Sequence, residues 1–480
     1  MDSKQFREAA KQLVDYICDY HDNIRDRDVL PAVQPYFLEK QMPGSAPENG
    51  EPWTSVFNDI EKLIMPGMTH WHSPRFHAYF PTASSYPAIL ADMLSGALGC
   101  VGFSWISSPI CTELEMSMMD WLGKMLHLPS EFLFSSHGKG GGVIQEAASE
   151  STLICMLAAR SRAITKYSSS SSPKNKSPLN KLVAYCSTQA HSSVEKAALL
   201  SAVKIRSLDP DTNLSLRGET LERAIKDDRE KGLIPFFVAA SLGTTNSCAF
   251  DNIIEIGQIC QKEDIWLHID AAYAGSAFIC PEYRHYLNGV DKADSFNMNP
   301  HKWLLVNSDC SALWVKNLNL ISDAFNVDPV YLKYDKQGQI HDFRHLQIAL
   351  GRRFRSLKMW FVFRLYGLNG LQQFIRKHIR LASEFKMMLQ TDPRFQIEQP
   401  VVLGLVTFRL KGSDELNKKY AKAINDRRKI HISPCSINGR YTLRFVVCSR
   451  HTELEDIKFS WNEFKTVADQ FPMENGFANH

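Results

Sequence analysis

Asp270 and Lys302 are the residues of this chain whose types and surroundings indicate chemistry most directly. Residues 265–269 form a short, mostly apolar run typical of a buried parallel strand, so Asp270 falls at the C-terminal end of that strand, where open α/β sheets bind their ligands. A carboxylate at that position can pair with a protonated pyridine nitrogen. Lys302 follows another strand-like segment, and its amine can form a Schiff base with an aldehyde. The pair therefore indicates a site for pyridoxal phosphate, which combines both groups.

Each of these two residues also has a structural explanation. An Asp at the end of a strand is often a helix cap, and an isolated Lys is usually solvated. The string Asn299-Pro-His-Lys-Trp303 is harder to explain in this way, because it places Pro, His and Lys side by side between apolar segments with neither a helical nor a strand period. We therefore favour the catalytic interpretation of Asp270 and Lys302, as a hypothesis that rests on a motif.

A glycine-rich stretch, Gly138-Lys-Gly-Gly-Gly142, precedes a segment that opens a predicted helix. Glycines let the backbone approach a ligand closely, and the N-terminus of a helix offers free N–H groups and a positive dipole end to a phosphate. Glycine-rich turns before helices are common, so this stretch is weak evidence by itself. Together with Asp270 and Lys302, it predicts a phosphate cup at Ala148 and Ser149.

The composition is that of an ordinary globular protein, with 480 residues of which 44% are hydrophobic and 22% charged. A net charge of +3 gives no reason to expect nucleic acid or an anionic membrane as a partner. The 11 cysteines are scattered without a Cys-x-x-Cys pair, which favours free thiols in a reducing compartment over a disulfide framework or a zinc site. Charges near the N-terminus interrupt any signal sequence, and the longest apolar run is too short to span a bilayer. We therefore expect a cytoplasmic protein without a metal site.

Short apolar runs alternate with helix-like segments between about residues 87 and 350. The clearest runs are 182–186, 236–240, 265–269 and 311–315. This alternation predicts an α/β fold, with a mostly parallel sheet and helices on both faces. An amphipathic helix is predicted to start near Asp2 or Ser3, and the Ser-rich stretch Ser168–Ser172 predicts a mobile surface loop. The predicted division is an N-terminal helical segment, a large domain and a small α+β domain at 1–86, 87–373 and 374–480.

Six longer strings occur along the chain: Ile64-Met-Pro-Gly67, His70-Trp-His-Ser-Pro74, Ala78-Tyr-Phe-Pro-Thr82, Cys111-Thr-Glu-Leu-Glu115, Gln189-Ala-His191-Ser-Ser193 and Gly351-Arg-Arg-Phe-Arg355. On these strings, the chain from about residue 5 to 470 resembles the group II pyridoxal phosphate-dependent decarboxylases, and among them the aromatic-L-amino-acid decarboxylases. The resemblance implies a fold-type I, pyridoxal phosphate-dependent transferase-like fold, with a seven-stranded sheet in the large domain. It also implies a homodimer in which the N-terminal helical segment lies across the partner subunit.

By this resemblance, Lys302 holds the cofactor, Asp270 keeps its ring nitrogen protonated, and the His191 imidazole stacks on the ring and faces the substrate carboxylate. From the residues alone, a His between a strand and a helix is more often a cap or a surface residue. Tyr331, in a loop with Pro, Gly and several charges, is implied to deliver a proton to the product carbon, although a loop aromatic is commonly a hydrophobic anchor. The residues implied to bind the cofactor are Ala148, Ser149, His191, Thr245, Asp270, Ala272, Asn299, His301 and Lys302.

The residues implied to bind the substrate are Trp71, Tyr79, Phe80, Pro81, Thr82, Val101, Phe103, His191 and Gly351. Most are aromatic or apolar, which suits a flat aromatic ring with a polar tip, although most aromatic residues simply fill cores. Thr82 can hydrogen-bond a ring hydroxyl, and Val101 and Phe103 are expected to complete the pocket of the partner subunit. Related histidine decarboxylases have Ser at the position of Gly351, so Gly351 with Phe80 and Thr82 favours a catechol or indole ring over imidazole.

The predicted activity is decarboxylation of aromatic L-amino acids, with L-DOPA as the expected substrate and 5-hydroxytryptophan as a further candidate. One alternative is an aromatic aldehyde synthase, whose insect members typically have Asn at the His191 position and whose plant members lose the Tyr at the Tyr331 position. The other is a catalytically silent homologue that acts as a binding protein, which would have lost Lys302, Asp270 or Tyr331. The retained residues favour the decarboxylase. Rate and substrate preference stay open because the chain departs from the family pattern at Thr188, Met298, Ser308, Leu346 and Ala349. Departures at Glu146 and Ala147 leave the hydrogen bonding of the phosphate cup open.

Overall fold

The structure, a computed structural model, describes residues 1–168 and 177–471. The chain divides into two compact units, one from Thr82 to Ile379 and one in which Met1–Pro81 joins Arg380–His480. The predicted division into three segments at residues 86 and 373 stays a prediction. The mobility predicted for the Ser-rich stretch also stays a prediction, because residues 169–172 lie outside the described residues.

Helices and strands alternate through the middle of the chain. The helices are α1 Ser3–Asp22, α2 Trp53–Asp59, α3 Tyr86–Leu98, α4 Pro109–Leu126, α5 Ala148–Tyr167, α6 Ser192–Leu200, α7 Gly218–Glu230, α8 Ile253–Glu263, α9 Pro300–Trp303, α10 Asn319–Phe325, α11 Ser356–Gln390, α12 Asp414–Asp426 and α13 Leu454–Ala468. The strands are β1 Gly141–Gln145, β2 Leu182–Ser187, β3 Lys204–Leu208, β4 Ile234–Ser241, β5 Trp266–Asp270, β6 Ser295–Met298, β7 Ser311–Val315, β8 Phe395–Ile397, β9 Leu405–Leu410, β10 Ser433–Ile437 and β11 Arg440–Val446.

The larger unit is built on a seven-stranded sheet with the strand order β1-β7-β6-β5-β4-β2-β3. Strands β2 to β6 pair in parallel, and β7 pairs antiparallel with both β6 and β1. The mostly parallel, seven-stranded sheet expected for this chain is thereby confirmed. Strands β1, β2, β5, β6 and β7 are buried at every position, as expected for a sheet covered by helices on both faces.

The glycine-rich stretch before α5 differs from the sequence prediction. The sequence predicts that Gly138–Gly142 leads directly into a helix, but Gly141 and Gly142 begin strand β1 and the helix starts only at Ala148. A Cβ on Gly142 would lie 2.9 Å from both Met119 Cβ and Trp314 Cδ1. Glycine is therefore required at this position by the close packing of β1 against α4 and β7.

The smaller unit contains an antiparallel sheet with the strand order β10-β11-β9-β8. Its core is aromatic, because Phe385 stacks on Phe445 with ring centroids 3.8 Å apart and both rings contact Phe464. Aliphatic side chains from α12 and α13 complete this core. The pattern agrees with the small α+β region predicted near the C-terminus.

The predicted N-terminal helix begins at Ser3 as α1. Asp2 caps it, since its carboxylate accepts hydrogen bonds from the N–H groups of Lys4 and Gln5. Outside residues 169–176 and 472–480, no helix is long and apolar enough to cross a bilayer.

Candidate active site

Asp270 lies at the carboxyl edge of the parallel strands, as the last residue of β5. The strand runs between Ser241 of β4 and Asn297 of β6, which are the residues paired with Asp270 in the sheet. The Asp270 side chain is buried, and its Oδ1 accepts a hydrogen bond from the Ala272 N–H at 3.0 Å. The carboxylate is thus fixed through one oxygen at the edge where a cationic ligand group would bind.

Lys302 lies on the short helix α9, which follows β6 at the same edge of the sheet. The Asn299 N–H donates to the Ala272 carbonyl at 3.0 Å, so the segment that carries Lys302 is held directly against the segment after Asp270. On the other side of α9, the Trp303 ring stacks on Tyr273 with centroids 4.8 Å apart. These contacts orient α9 while Lys302 itself remains only half-buried.

His191 forms the N-cap of α6, and its Nδ1 accepts a hydrogen bond from the Ser193 N–H at 3.1 Å. The Ser193 Oγ lies 2.9 Å from the same nitrogen. Burial lowers the pKa of His191 first, the positive charge of Lys302 lowers it further, and Asp270 acts in the opposite direction. The charges of Lys302 and Asp270 therefore both act on the His191 ring, and the lowered pKa favours the neutral imidazole, although His191 is exposed on the surface of the single chain. Because Nδ1 is an acceptor, the proton of the neutral ring is on Nε2.

The predicted phosphate cup lies where α5 begins. Ala148 and Ser149 are the first two residues of α5, and the N-cap residue, Ala147, has no side chain that could cap the helix. The N–H groups of this first turn and the positive end of a twenty-residue helix are thus directed at the space beyond β1. This arrangement suits a phosphate, although Ser149 is exposed in the chain by itself.

His301 and Asn299 supply a further polar group to this edge. Burial, reinforced by the charges of Lys302 and Lys358, lowers the pKa of His301 to about 4, so its ring is neutral. The His301 Nδ1 accepts from the Cys310 N–H at 2.8 Å, so Nε2 carries the proton and faces the Asn299 amide at 3.3 Å.

An N–H group needs an acceptor, so the amide oxygen of Asn299 is the arm that suits Nε2 of His301. The other arm of the Asn299 amide is buried without a hydrogen-bond partner among the described residues. With the amide oxygen turned toward His301, this second arm is the NH2 group, and it has no acceptor among the described residues. A buried polar group of this kind requires a partner, and an anionic ligand supplies one. The donor set therefore fits pyridoxal phosphate: an amine for the aldehyde, a carboxylate for the ring nitrogen and N–H donors for the phosphate.

The remaining cofactor candidates are less closely tied to this group. Ala272 is buried directly after Asp270 and donates the hydrogen bond described above. Thr245 lies in the turn after β4 and is half-buried. No hydrogen bond joins Thr245 to Asp270 in the part of the chain that the structure describes, so its orienting role stays a prediction.

The substrate candidates fall into separate groups. Thr82 lies beside the Lys302 helix, because the N–H of the next residue, Ala83, donates to the His301 carbonyl at 2.6 Å. In the smaller unit, Trp71 stacks on Tyr79 with centroids 5.5 Å apart. In the same unit, Pro81 is buried and the Arg444 guanidinium lies 4.8 Å over the Phe80 ring.

Val101, Phe103 and Gly351 form another group within the larger unit. The Arg344 N–H donates to the Phe103 carbonyl at 2.9 Å, and the Gly102 N–H donates to the Arg352 carbonyl at 3.2 Å. These two bonds hold segment 101–103 against segment 344–352, which contains Gly351. Val101 is 49% exposed and Tyr331 is 80% exposed, so neither is packed among the buried cofactor residues of its own chain.

Three charged residues beside the site were not among the predicted site residues. Asp309 accepts a hydrogen bond from Arg355 at 2.7 Å and lies 4.0 Å from Lys358, which is almost completely buried. Arg355 also pairs with Glu146 at 3.1 Å, just before the first turn of α5. Arg355 thereby connects Glu146, just before α5, with Asp309, just before β7. It is visible in sequence only as part of the Gly351–Arg355 string, and no local pattern marks Asp309 or Lys358.

Comparison with known proteins places this arrangement among enzymes that use the same cofactor. The family model described as the pyridoxal-dependent decarboxylase conserved domain matches residues 35–411. The aromatic-L-amino-acid decarboxylase of Manduca sexta is 57% identical, over 99% of this chain and 94% of its own length. The solved structure of Catharanthus roseus tryptophan decarboxylase in complex with L-tryptophan is 41% identical with a TM-score of 0.92, over 98% of this chain and 99% of that chain. Rhodiola rosea 4-hydroxyphenylacetaldehyde synthase is 38% identical with a TM-score of 0.91, again over 98% and 99% of the two chains.

Proposed function

The chain belongs to the pyridoxal-dependent decarboxylase family, and we propose that it decarboxylates aromatic L-amino acids, with L-DOPA as the expected substrate and 5-hydroxytryptophan as a further candidate. The observation that carries the proposal is that the segments of Lys302 and Asp270 are hydrogen-bonded to each other at the carboxyl edge of the sheet, and that both charges act on the His191 imidazole. When bound, pyridoxal phosphate supplies the aldehyde that captures the amino group and the ring that accepts the electron pair released with carbon dioxide.

Lys302, Asp270 and His191 have separate proposed roles in binding the cofactor and orienting the substrate. The Lys302 amine holds the cofactor, and the buried Asp270 carboxylate keeps a positive charge on the ring nitrogen. The neutral His191 ring can stack on the cofactor ring without charge repulsion. Its Nε2–H is free to donate to the substrate carboxylate because Nδ1 is occupied by Ser193. This bond would orient the carboxylate relative to the ring before the C–C bond breaks.

Phosphate binding is proposed at the first turn of α5 together with the Asn299 amide. In this proposal the N–H groups of Ala148 and Ser149 donate to the phosphate, and so does the arm of Asn299 that has no partner among the described residues. His301 supports this amide through its Nε2–H. The Arg355 guanidinium donates hydrogen bonds to both Glu146 and Asp309 and so holds the start of α5 near the segment before β7.

Tyr331 is proposed to deliver the proton that replaces the lost carboxyl group. Its segment also exposes Val327 and Val330, which are 74% and 83% exposed. Apolar side chains so fully in solvent are typical of a loop that packs onto something during function. We infer that this loop closes over a substrate-loaded site and brings the Tyr331 phenol to the product carbon.

A homodimer is proposed from helix α3. Its side chains Tyr86, Leu90, Met93, Leu94 and Leu98 are all between 37% and 56% exposed. Large apolar side chains along one helix indicate a surface that is buried by a partner, and a two-fold axis would bury the same surface on both copies. In such a dimer, Val101 and Phe103 complete the partner's substrate pocket. Light scattering should give twice the chain mass, and an active monomer would refute the shared pocket.

The proposed compartment is the cytoplasm, and the proposed partners are an aromatic amino acid and a second copy of the chain. The 11 cysteines all lie within the described residues and none forms a disulfide, and most of them are buried, which suits a reducing compartment. The net charge of +3 does not favour nucleic acid or an anionic membrane as a partner.

Product analysis with L-DOPA tests the activity against its nearest alternative. A decarboxylase should release dopamine and carbon dioxide without hydrogen peroxide. An aldehyde synthase would release aldehyde, carbon dioxide, ammonia and hydrogen peroxide. His191 and Tyr331 both favour the first outcome. Lys302→Ala is the matched control for background chemistry. Wild-type protein that binds pyridoxal phosphate and yields neither set of products would refute both activities.

A further inference from the structure

Cys100 and Cys111 lie at the two ends of the connection between α3 and α4, with their sulfur atoms 3.2 Å apart. Cys100 follows Gly99, which ends α3 in the left-handed conformation with a φ of 61°, and Cys111 lies in the first turn of α4. A Cβ on Gly102 would lie 2.6 Å from Cys111 Cβ, so the connecting backbone passes directly against Cys111. A disulfide has an S–S distance of about 2.05 Å, so the two sulfur atoms need to approach by only about 1.1 Å.

The two cysteines differ in their surroundings. Cys111 is buried in an apolar cluster with Ala91, Phe354 and Leu357, whereas Cys100 is half-buried at the edge of that cluster. Burial raises the pKa of Cys111 to about 12, so it is a thiol at neutral pH. A small oxidant therefore reaches Cys100 first, and Cys111 is in place to react with the oxidised sulfur.

We propose that Cys100 and Cys111 form a reversible disulfide in the presence of hydrogen peroxide, and that this bond restrains the neighbouring segment Val101–Phe103. The Cys100 sulfur attacks the peroxide O–O bond, becomes a sulfenic acid and releases one water. The Cys111 sulfur then displaces the hydroxyl group of the sulfenic acid, which forms the S–S bond and releases a second water. Two thiols lose two electrons in total, and one peroxide is reduced to two waters. A dithiol reductant reverses the bond by exchange.

The bond would act on catalysis through the segment that it closes. Backbone hydrogen bonds from Gly102 to Arg352 and from Arg344 to Phe103 tie this segment to the region that contains Gly351. Drawing Cys100 toward Cys111 moves the residue before Val101, while Gly102 after it stays hydrogen-bonded to that region. This consequence rests on the proposed function, in which Val101 and Phe103 line a substrate pocket, whereas formation of the bond does not.

Peroxide treatment of the purified holoenzyme tests the bond and its effect separately. Thiol titration after denaturation should fall from 11 to nine, since two of the 11 cysteines are consumed. Peptide mapping should show Cys100 linked to Cys111. The kcat/KM for L-DOPA should fall on the order of tenfold, because small displacements in a substrate site cost up to about 100-fold. Dithiothreitol should restore the thiol count and the activity.

Two variants serve as controls, each compared with itself before peroxide. Cys100→Ser should form no such link and keep its activity, while Cys18→Ser, which removes a half-buried cysteine of α1, should respond like the wild type. Oxidation of other cysteines without a Cys100–Cys111 link would overturn the proposal, and a link without any loss of activity would overturn its effect on catalysis. Protein that forms the link but never decarboxylates an amino acid would keep the disulfide and refute the proposed function.

Discussion

Replacing Gly351 by Ser is expected to alter substrate turnover while leaving the fold intact. A Cβ at this position would lie 3.6 Å from Val101 Cγ1, which is an ordinary van der Waals contact, and the Gly351 backbone lies outside the left-handed region that favours glycine. The larger side chain therefore fits without strain. We expect the free energy of unfolding to change by no more than about 0.5 kcal/mol.

The effect on activity should be much larger than the effect on stability. In the proposed pocket, once the partner subunit covers it, the added hydroxyl would face the aromatic ring of the substrate and lose water without a new hydrogen-bond partner. An unpaired buried polar group costs about 1–3 kcal/mol, and each 1.4 kcal/mol is about tenfold, so kcat/KM for L-DOPA should fall roughly 5- to 150-fold. Gly351→Ala adds the same Cβ without the hydroxyl and separates the effect of bulk from that of polarity.

Steady-state kinetics with L-DOPA and urea unfolding of each variant check both halves of this reasoning. Gly142→Ala is the packing control, because its Cβ would lie 2.9 Å from Met119 Cβ and from Trp314 Cδ1 and should cost about 1–3 kcal/mol of stability. Wild-type kcat/KM in Gly351→Ser would remove Gly351 from the pocket. Equal destabilisation of Gly351→Ala and Gly142→Ala would refute the packing argument.

With pyridoxal phosphate the wild-type protein should show a visible absorption band, and Lys302→Ala should abolish it, because the band depends on the lysine amine. A band of full strength in the variant would exclude Lys302 as the attachment point. Tyr331→Phe should shift aerobic product from dopamine toward aldehyde and hydrogen peroxide, whereas an unchanged ratio would leave Tyr331 as a loop anchor. Complete burial lowers the pKa of His77 from 6.5 to about 4, so the unfolded chain binds the proton first on acidification. The stability that neutral His77 contributes is present above about pH 6.5, and roughly 3 kcal/mol of it is lost as the pH falls to about 4. Urea unfolding at about pH 7 and about pH 4.5 should show a smaller loss in His77→Gln, and an equal loss in both proteins would refute the assignment.

The strands that carry the site could be predicted because burial alone selects their residues. The apolar runs predicted at 182–186, 236–240 and 311–315 lie within β2, β4 and β7, and Asp270 ends β5 as expected. A strand that is buried on both faces is apolar at nearly every position and does not alternate between apolar and polar residues. A short apolar run is therefore enough to predict it. The reversed direction of β7 and the strand order have no such local signature, since they depend on how the connections cross the sheet.

The buried charges beside the site could not be predicted, for a different reason. Asp309, Arg355 and Lys358 are ordinary charged residues in sequence, and such residues are usually exposed. Arg355 and Lys358 become buried, beside the half-buried Asp309, only when the segment before β7 meets the start of α11. The pairing of Asp309 with Arg355 spans 46 residues, which no helical or strand period connects. The hydrogen bond between Ser193 and His191 is easier to predict from sequence, because the two residues are only two positions apart at the same helix N-terminus.

Two residues expected to bind the cofactor and two expected to act on the substrate differ in how far a single chain buries them. Asp270 and His301 are each only 8% exposed, so a single chain already provides the low-dielectric surroundings that make their charges and hydrogen bonds effective. Val101 and Tyr331 remain largely in water. A hydrophobic wall cannot exclude water from a substrate while it is itself solvated, and a phenol in solvent cannot compete with water as the proton donor. The proposed decarboxylation therefore requires both exposed groups to be covered, Val101 by a second copy of the chain and Tyr331 by closure of its loop. It follows that substitutions at these two positions should change substrate affinity and products while leaving cofactor binding intact.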